Sequence, residues 1–277
     1  MRPILIALAL LLGCAPAIAE VKVLKDVKYV ESSSDPMHQL DIYIPDGKPP
    51  SSVLFWVHGG GLTGDDRGSN DNAPVGLRFA REGYVAVVIS YRLSPQVTHP
   101  AHTEDVAKAF AWTVRNIAKH GGDPNKIIVS GHSAGAYLIG LLAYDQRYLE
   151  REKLSSDRML AVIPISGFYF VDRVAPMPDR PRSVWGNDPK VWLAASPAQF
   201  VRKDAPRTIL IYADGDEDWR RKDNEDFKAA VAKAGGRIES HQINGRSHMS
   251  ILRRMPTLDD ETTSLMLQLM RNILAAH

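Results

Sequence analysis

Short apolar runs alternate along the chain with longer stretches in which apolar residues recur at helical spacing. Residues 53–57, 85–90, 126–130, 160–165 and 208–212 are dominated by Val, Ile and Leu, with little polar alternation. That pattern marks strands buried on both faces, as parallel sheets require. Segments 27–30, 39–44 and 238–243 complete a set of eight predicted strands. Between them, 75–82, 103–120, 134–143, 221–234 and 257–275 read as helices. Strands that alternate with helices imply crossover connections and a mostly parallel, doubly wound α/β sheet. Ligands bind such sheets beyond the carboxyl ends of the strands.

Two segments break the rhythm. Residues 166–202 form an insertion after the sixth strand, with several prolines and Phe168, Tyr169, Phe170, Trp185 and Trp192. Phe168 and Trp185, together with Trp219 further on, are candidate substrate-binding residues; the competing reading is that such aromatics seal the edge of a small subdomain. At the start of the chain, Arg2 precedes an apolar run, 4–12, too short to span a bilayer, and Ala17-Ile18-Ala19 forms an A-x-A cleavage site. Residues 1–19 are therefore expected to be an export signal, leaving 20–277 as one mature domain in the periplasm or outside the cell. The rival reading is Leu11-Leu12-Gly13-Cys14 as a lipobox, which would leave a lipoprotein anchored through Cys14. Cleavage after Ala19 would remove the chain's only cysteine and with it any disulfide.

Composition adds mainly exclusions. The 34 Lys and Arg residues nearly balance the 32 Asp and Glu, for a net charge of +2, which gives no reason to expect nucleic acid or an anionic membrane as partner. No zinc-type Cys/His spacing appears, so neither metal nor cofactor is expected. No apolar run is long enough for an integral membrane span. Nothing in the sequence indicates the oligomeric state.

The chemistry concentrates at strand ends. Gly131-His132-Ser133-Ala134-Gly135 lies between a strand and a helix. There it reads as a nucleophile elbow, a tight turn whose flanking residues must be glycine and which lifts the Ser133 hydroxyl above the sheet. Upstream, a strand runs into His58-Gly59-Gly60-Gly61. The amides of Gly60 and Gly61, with that of Ala134, would form an oxyanion hole. After the seventh strand Asp214, Asp216, Glu217 and Asp218 compete as the acid, and after the eighth His248 sits on a turn. A serine hydroxyl needs such a histidine to take its proton, and a carboxylate to fix the imidazole tautomer.

The order Ser, Asp, His and these motifs resemble the α/β-hydrolases. The likeness is to HGGG-bearing serine carboxylesterases and lipases related to hormone-sensitive lipase and to kynurenine formamidase. Further matches are Gln39-Leu40-Asp41-Ile42-Tyr43-Ile44-Pro45, Ser90-Tyr91-Arg92-Leu93-Ser94-Pro95, His99-Pro100-Ala101 and Gly121-Gly122-Asp123-Pro124. The resemblance implies an α/β-hydrolase fold with its first two strands antiparallel and the 166–202 insertion as a small lid. It also implies catalytic Ser133 and His248. Matching Tyr212-Ala213-Asp214-Gly215-Asp216 to the family's H-G-D-A-D turn implies Asp216 as the acid, with Asp218 as runner-up because Glu217 replaces the family's proline. The helical cap common before HGGG in hormone-sensitive-lipase relatives has no room here. The expected activity is hydrolysis of short to medium acyl or aryl esters. An amidase, arylformamidase or peptidase with the same triad, and a noncatalytic binding module on this fold, are the alternatives.

Overall fold

The computed structural model describes residues 20–47, 50–178, 180 and 182–277. The expected signal segment 1–19, its A-x-A site and Cys14 lie outside the described residues. Eight strands form one sheet: β1 (Val21–Lys28), β2 (Gln39–Pro45), β3 (Ser51–Val57), β4 (Val85–Ile89), β5 (Gly122–His132), β6 (Met159–Ile165), β7 (Arg207–Gly215) and β8 (Ile238–Ser247). Their order is β1-β2-β4-β3-β5-β6-β7-β8. β2 pairs antiparallel with both β1 and β4, and every other pairing is parallel, so β2 alone runs against the rest.

Period-two alternation on β3 divides the core. Val53, Phe55 and Val57 face one apolar cluster, which also contains Phe110 of α2 (Ala101–Asn116) and Tyr137 of α3 (Ala134–Tyr144). Leu54 and Trp56 face the other, with Phe79 of α1 (Ala73–Arg81) and Met266 and Met270 of the C-terminal helix Glu261–Ala275. Every residue of α3 is buried, as suits the helix that carries the elbow against the middle of the sheet.

The remaining helices follow in chain order. A short α4 (Gln146–Arg151) is capped by Asp145, whose carboxylate accepts the Arg147 N–H. Within the insertion lie α5 (Val171–Val174), α6 (Arg182–Trp185) and α7 (Pro189–Ala194). Then come α8 (Asp218–Lys233), α9 (Ser250–Arg253) and α10 (Glu261–Ala275).

The first strand differs from the expected 27–30 and spans Val21–Lys28. Its register shifts between Leu24 and Val27, where Asp26 takes a positive φ of 59° and its N–H bonds to Asp41 Oδ1 at 2.9 Å. That bulge breaks the alternation by which an edge strand is otherwise recognised. α8 begins three residues before the expected start, since Glu217 already turns the chain into the helix.

Candidate active site

The turn from β5 into α3 is forced by contact with the end of β3. A methyl group at Gly135 would lie 2.1 Å from the Val57 carbonyl oxygen and 2.5 Å from that of His58; at Gly131 it would lie 2.6 Å from Val57 O. Only glycine fits where three backbones meet. Between the two, Ser133 holds φ 54°, ψ −114°, a strained conformation for a residue with a side chain.

The sheet then brings the other two predicted residues to this serine. The Ser133 hydroxyl bonds His248 Nε2 at 2.9 Å, and His248 Nδ1–H donates to Asp216 Oδ1 at 2.6 Å. Asp216 Oδ2 accepts from the Ser166 hydroxyl at 2.5 Å and from the Ala213 N–H at 3.0 Å. Burial alone would raise the Asp216 pKa. The bonds from His248 and Ser166, with the positive charge of Arg220 whose Nε lies 3.8 Å away, bring it below the ordinary carboxylate value.

The neighbouring carboxylates have other work. Asp214 accepts the Gly245 and Arg246 amides at 2.9 and 3.0 Å, which ties the loop carrying His248 to the turn carrying Asp216. Asp218 points outward, its side chain 94% exposed and paired with Arg221. Of the candidate acids, Asp216 is thus the one that meets the histidine.

Gly60 and Gly61 adopt φ of 82° and 63° and line the same cleft as Ser133 and His248, a cavity of about 340 Å³. Ala134 opens α3, where an amide has no intrahelical acceptor. His132 is buried, with Nε2 2.8 Å from the His248 carbonyl oxygen. Burial, reinforced by the nearby His248, pulls its pKa down to about 3, so its ring is neutral and donates that bond. His58 is fully buried against Tyr91, and burial lowers its pKa to about 4. His241, on β8, lies away from the cleft with Nε2 4.0 Å from Glu239.

The aromatic candidates behave differently from the expectation. Phe168 and Trp185 are each only 5% exposed and do not line the cleft. Phe168 stacks on Tyr137 at 4.7 Å, and Trp185 meets both rings edge-on while its Nε1–H donates to the Tyr137 hydroxyl. Both therefore anchor the insertion on α3, where burying large rings against a helix outweighs leaving them at a solvated rim. Trp219 lines a separate cavity with Met177 and Asp223, and lies under the guanidinium groups of Arg180 and Arg220.

What lines the cleft beside the triad is largely charged: Asp65, Arg180, Glu217 and Arg220, with Met249 and Leu252 as its apolar members. None of these was a sequence candidate for binding. Arg220 carried one readable signal, its i, i+4 spacing from Asp216 on the turn into α8; Ser166 carried another, its place at the end of β6 next to β7. Among the described residues, the one group of metal-ligand type is Asp216, Glu217 and His248, with one ligand atom from each within 4.8 Å of the others. Asp216 is already bonded to His248 and Ser166, Glu217 to Arg220 at 3.0 Å, and the buried Arg220 cation opposes a second positive charge there.

Known proteins share this arrangement of strands. The chain is 33% identical over 209 residues to Esterase LipQ of Mycobacterium tuberculosis, covering 71% of this chain and 49% of that one. It is 35% identical over 200 residues to Esterase LipC of the same organism, covering 66% and 49%. The chain thus spans about half the length of these curated relatives. Among solved structures, esterase B from Lactobacillus Rhamnosis matches with a TM-score of 0.79 at 20% identity, over 92% of this chain and 85% of that one. Thermogutta terrifontis esterase Est2 matches with a TM-score of 0.68 at 26% identity, over 94% and 92%. The sheet order, the crossover helices and these likenesses make the fold that of the α/β-hydrolases, and with residues 40–231 matching the BD-FAE family, from β2 into α8, the chain belongs to that family.

Proposed function

We propose that the protein is a serine carboxylic ester hydrolase acting through an acyl-enzyme on Ser133. The observation that carries this reading is the unbroken relay from the Ser133 hydroxyl through His248 to Asp216, at 2.9 and 2.6 Å, beside a glycine loop with positive φ. His248 Nε2 takes the hydroxyl proton as Oγ attacks the ester carbonyl, then returns it to the departing alcohol. Asp216 holds the proton on Nδ1 and stabilises the imidazolium. Ser166 and the Ala213 amide in turn hold the carboxylate. Amides of Gly60, Gly61 and Ala134 receive the oxyanion, each such donor being worth about 3 kcal/mol of barrier. Water then enters by the same route and releases the acid.

Substrate size follows from the lining. With Met249 and Leu252 as the apolar members of a cleft of about 340 Å³, only a few methylenes can be desolvated, each worth about 0.8 kcal/mol. Short acyl or aryl esters are therefore preferred to long ones. A fluorophosphonate labels the wild type at Ser133, and Ser133→Ala loses labelling and turnover together. p-Nitrophenyl esters of graded chain length are cleaved fastest at the short end. Esters left intact by folded wild type would sink the reading, whereas a long-chain optimum would sink only its substrate clause. We further propose export under the 1–19 segment to the periplasm or the medium. N-terminal mass spectrometry decides between a start at Glu20 and a lipid-modified Cys14.

A further inference from the structure

The segment after β4, Ser90 to Pro95, stood out in the sequence, yet none of its residues lines the cleft. Tyr91 within it is fully buried. Its hydroxyl lies 2.8 Å from the Gly59 carbonyl oxygen and 3.1 Å from that of His58. Its ring stacks on His58 with centroids 4.2 Å apart and planes within 10°. His58 Nδ1 lies 3.1 Å from the same Gly59 oxygen, and its buried Nε2 has no hydrogen-bond partner among the described residues, so the neutral ring carries its proton on Nδ1 and donates to Gly59. A second tie, Ser94 N–H to Leu62 O at 2.8 Å, joins the two segments three residues further along each.

A trans peptide points the carbonyl of one residue and the amide of the next in opposite directions. Two donors that draw the Gly59 oxygen inward therefore turn the Gly60 N–H outward. Gly59 lies against the nucleophile, since a methyl group on it would come within 3.0 Å of His132 O and 3.3 Å of Ser133 Cβ. A flipped Gly59–Gly60 peptide would present a carbonyl oxygen where the oxyanion needs a donor. With glycine on both sides of that peptide, and φ of 82° at Gly60, backbone sterics alone leave it free to take either orientation.

We propose that Tyr91 is a positioning residue for the oxyanion hole: its hydroxyl, bonded to the carbonyls of His58 and Gly59, fixes the peptide whose amide receives the developing negative charge. The inference rests on the esterase reading of Ser133. Tyr91→Phe keeps the ring stacked on His58 and removes only the hydroxyl. Its kcat on a short p-nitrophenyl ester falls about 30-fold, short of the ~10²–10³ lost when a donor is deleted outright. KM stays within about twofold, because the ground-state carbonyl makes little use of the hole. A trifluoromethyl ketone, which forms a tetrahedral adduct at the serine, loses affinity by the same factor as kcat. Tyr91→4-aminophenylalanine, which restores a donor at the ring's para position, recovers most of both, and this separates positioning from a packing defect. Wild-type kcat and ketone affinity in Tyr91→Phe would overturn the proposal, as would a kcat loss that leaves ketone affinity untouched. A wild type inert toward esters would bring down the esterase reading itself, a result that no Tyr91 variant is needed to see.

Discussion

Replacing Asp216 with asparagine tests the relay at its most constrained point. The carboxylate accepts three donors: His248 Nδ1–H and Ser166 Oγ–H, each within 2.6 Å, and Ala213 N–H at 3.0 Å. An amide offers one oxygen and two N–H groups in place of two acceptors. If its oxygen keeps Ser166 and Ala213, its NH₂ faces His248 Nδ1, which must then lose its proton. The proton moves to Nε2, the nitrogen that has to accept from Ser133. If the amide flips, its NH₂ meets the Ala213 N–H, and burying an unmatched donor pair costs about 1–3 kcal/mol. The first arrangement wins, and with it the unproductive tautomer. The expected loss in kcat is about 10⁴-fold, with little change in KM. Asp218→Asn removes one exposed ion pair and is expected to stay within about threefold of wild type. Steady-state kinetics on a short p-nitrophenyl ester, with circular dichroism to establish that both variants fold, measures this directly. A folded Asp216→Asn variant within about tenfold of wild type, or a loss concentrated in Asp218→Asn, would refute the assignment.

Gly135→Ala drives a methyl group to 2.1 Å from the Val57 carbonyl and is expected to cost ~3 kcal/mol or more, because neither backbone can yield. Thermal melts showing a near-native midpoint would contradict the packing described for the elbow. Acid is expected to weaken the fold before any ordinary carboxylate titrates. Burial lowers the pKa of His58, His99 and His102 to about 4 and of His132 to about 3, from an unfolded value of 6.5. A depressed histidine gives stability that is complete above 6.5 and is lost as pH falls toward the folded value, since the unfolded chain binds more protons in that window. Asp223 works the other way: burial raises it to about 7, so its contribution declines as pH rises from 3.8 to that value, but it is one group against four. The melting midpoint at about pH 5 is therefore expected to lie below that at about pH 7, and a flat profile between them would count against neutral rings at the buried His58, His102 and His132 and the half-buried His99.

The parts of this molecule legible in the sequence are those set by local constraint. Strands buried on both faces must be apolar throughout, which exposed β3 and β4 at once. The elbow announced itself because Gly131 and Gly135 are demanded by the approach of Val57. Asp216 was reached only through a resemblance, for nothing in Asp214-Gly215-Asp216-Glu217-Asp218 says which carboxylate turns inward. The structure answers by giving Asp214 to the amides of the next loop and Asp218 to solvent. Phe168 and Trp185 stayed open between lining a pocket and sealing a subdomain for a related reason: in an irregular segment no periodicity fixes the direction of a side chain, and here both turn toward Tyr137, the sealing alternative. Ser166 meets Asp216 from 50 positions away, and only its place at the end of β6 hinted at that contact, whereas Arg220 did have a local signal in its spacing from Asp216 and Glu217.

β8 is bonded on one side only, by β7, and much of its outer half, including Gln242, Asn244 and Gly245, is exposed. His248 follows this last strand, held by the amide clamp from Asp214 and the short α9. Edge elements open locally at a fraction of the free energy needed to unfold a whole domain. The histidine therefore rides on one of the least protected parts of the sheet, while the serine sits at its centre. Under rising urea, activity is therefore expected to vanish while the central strands are still intact, and dilution to restore it without refolding the core.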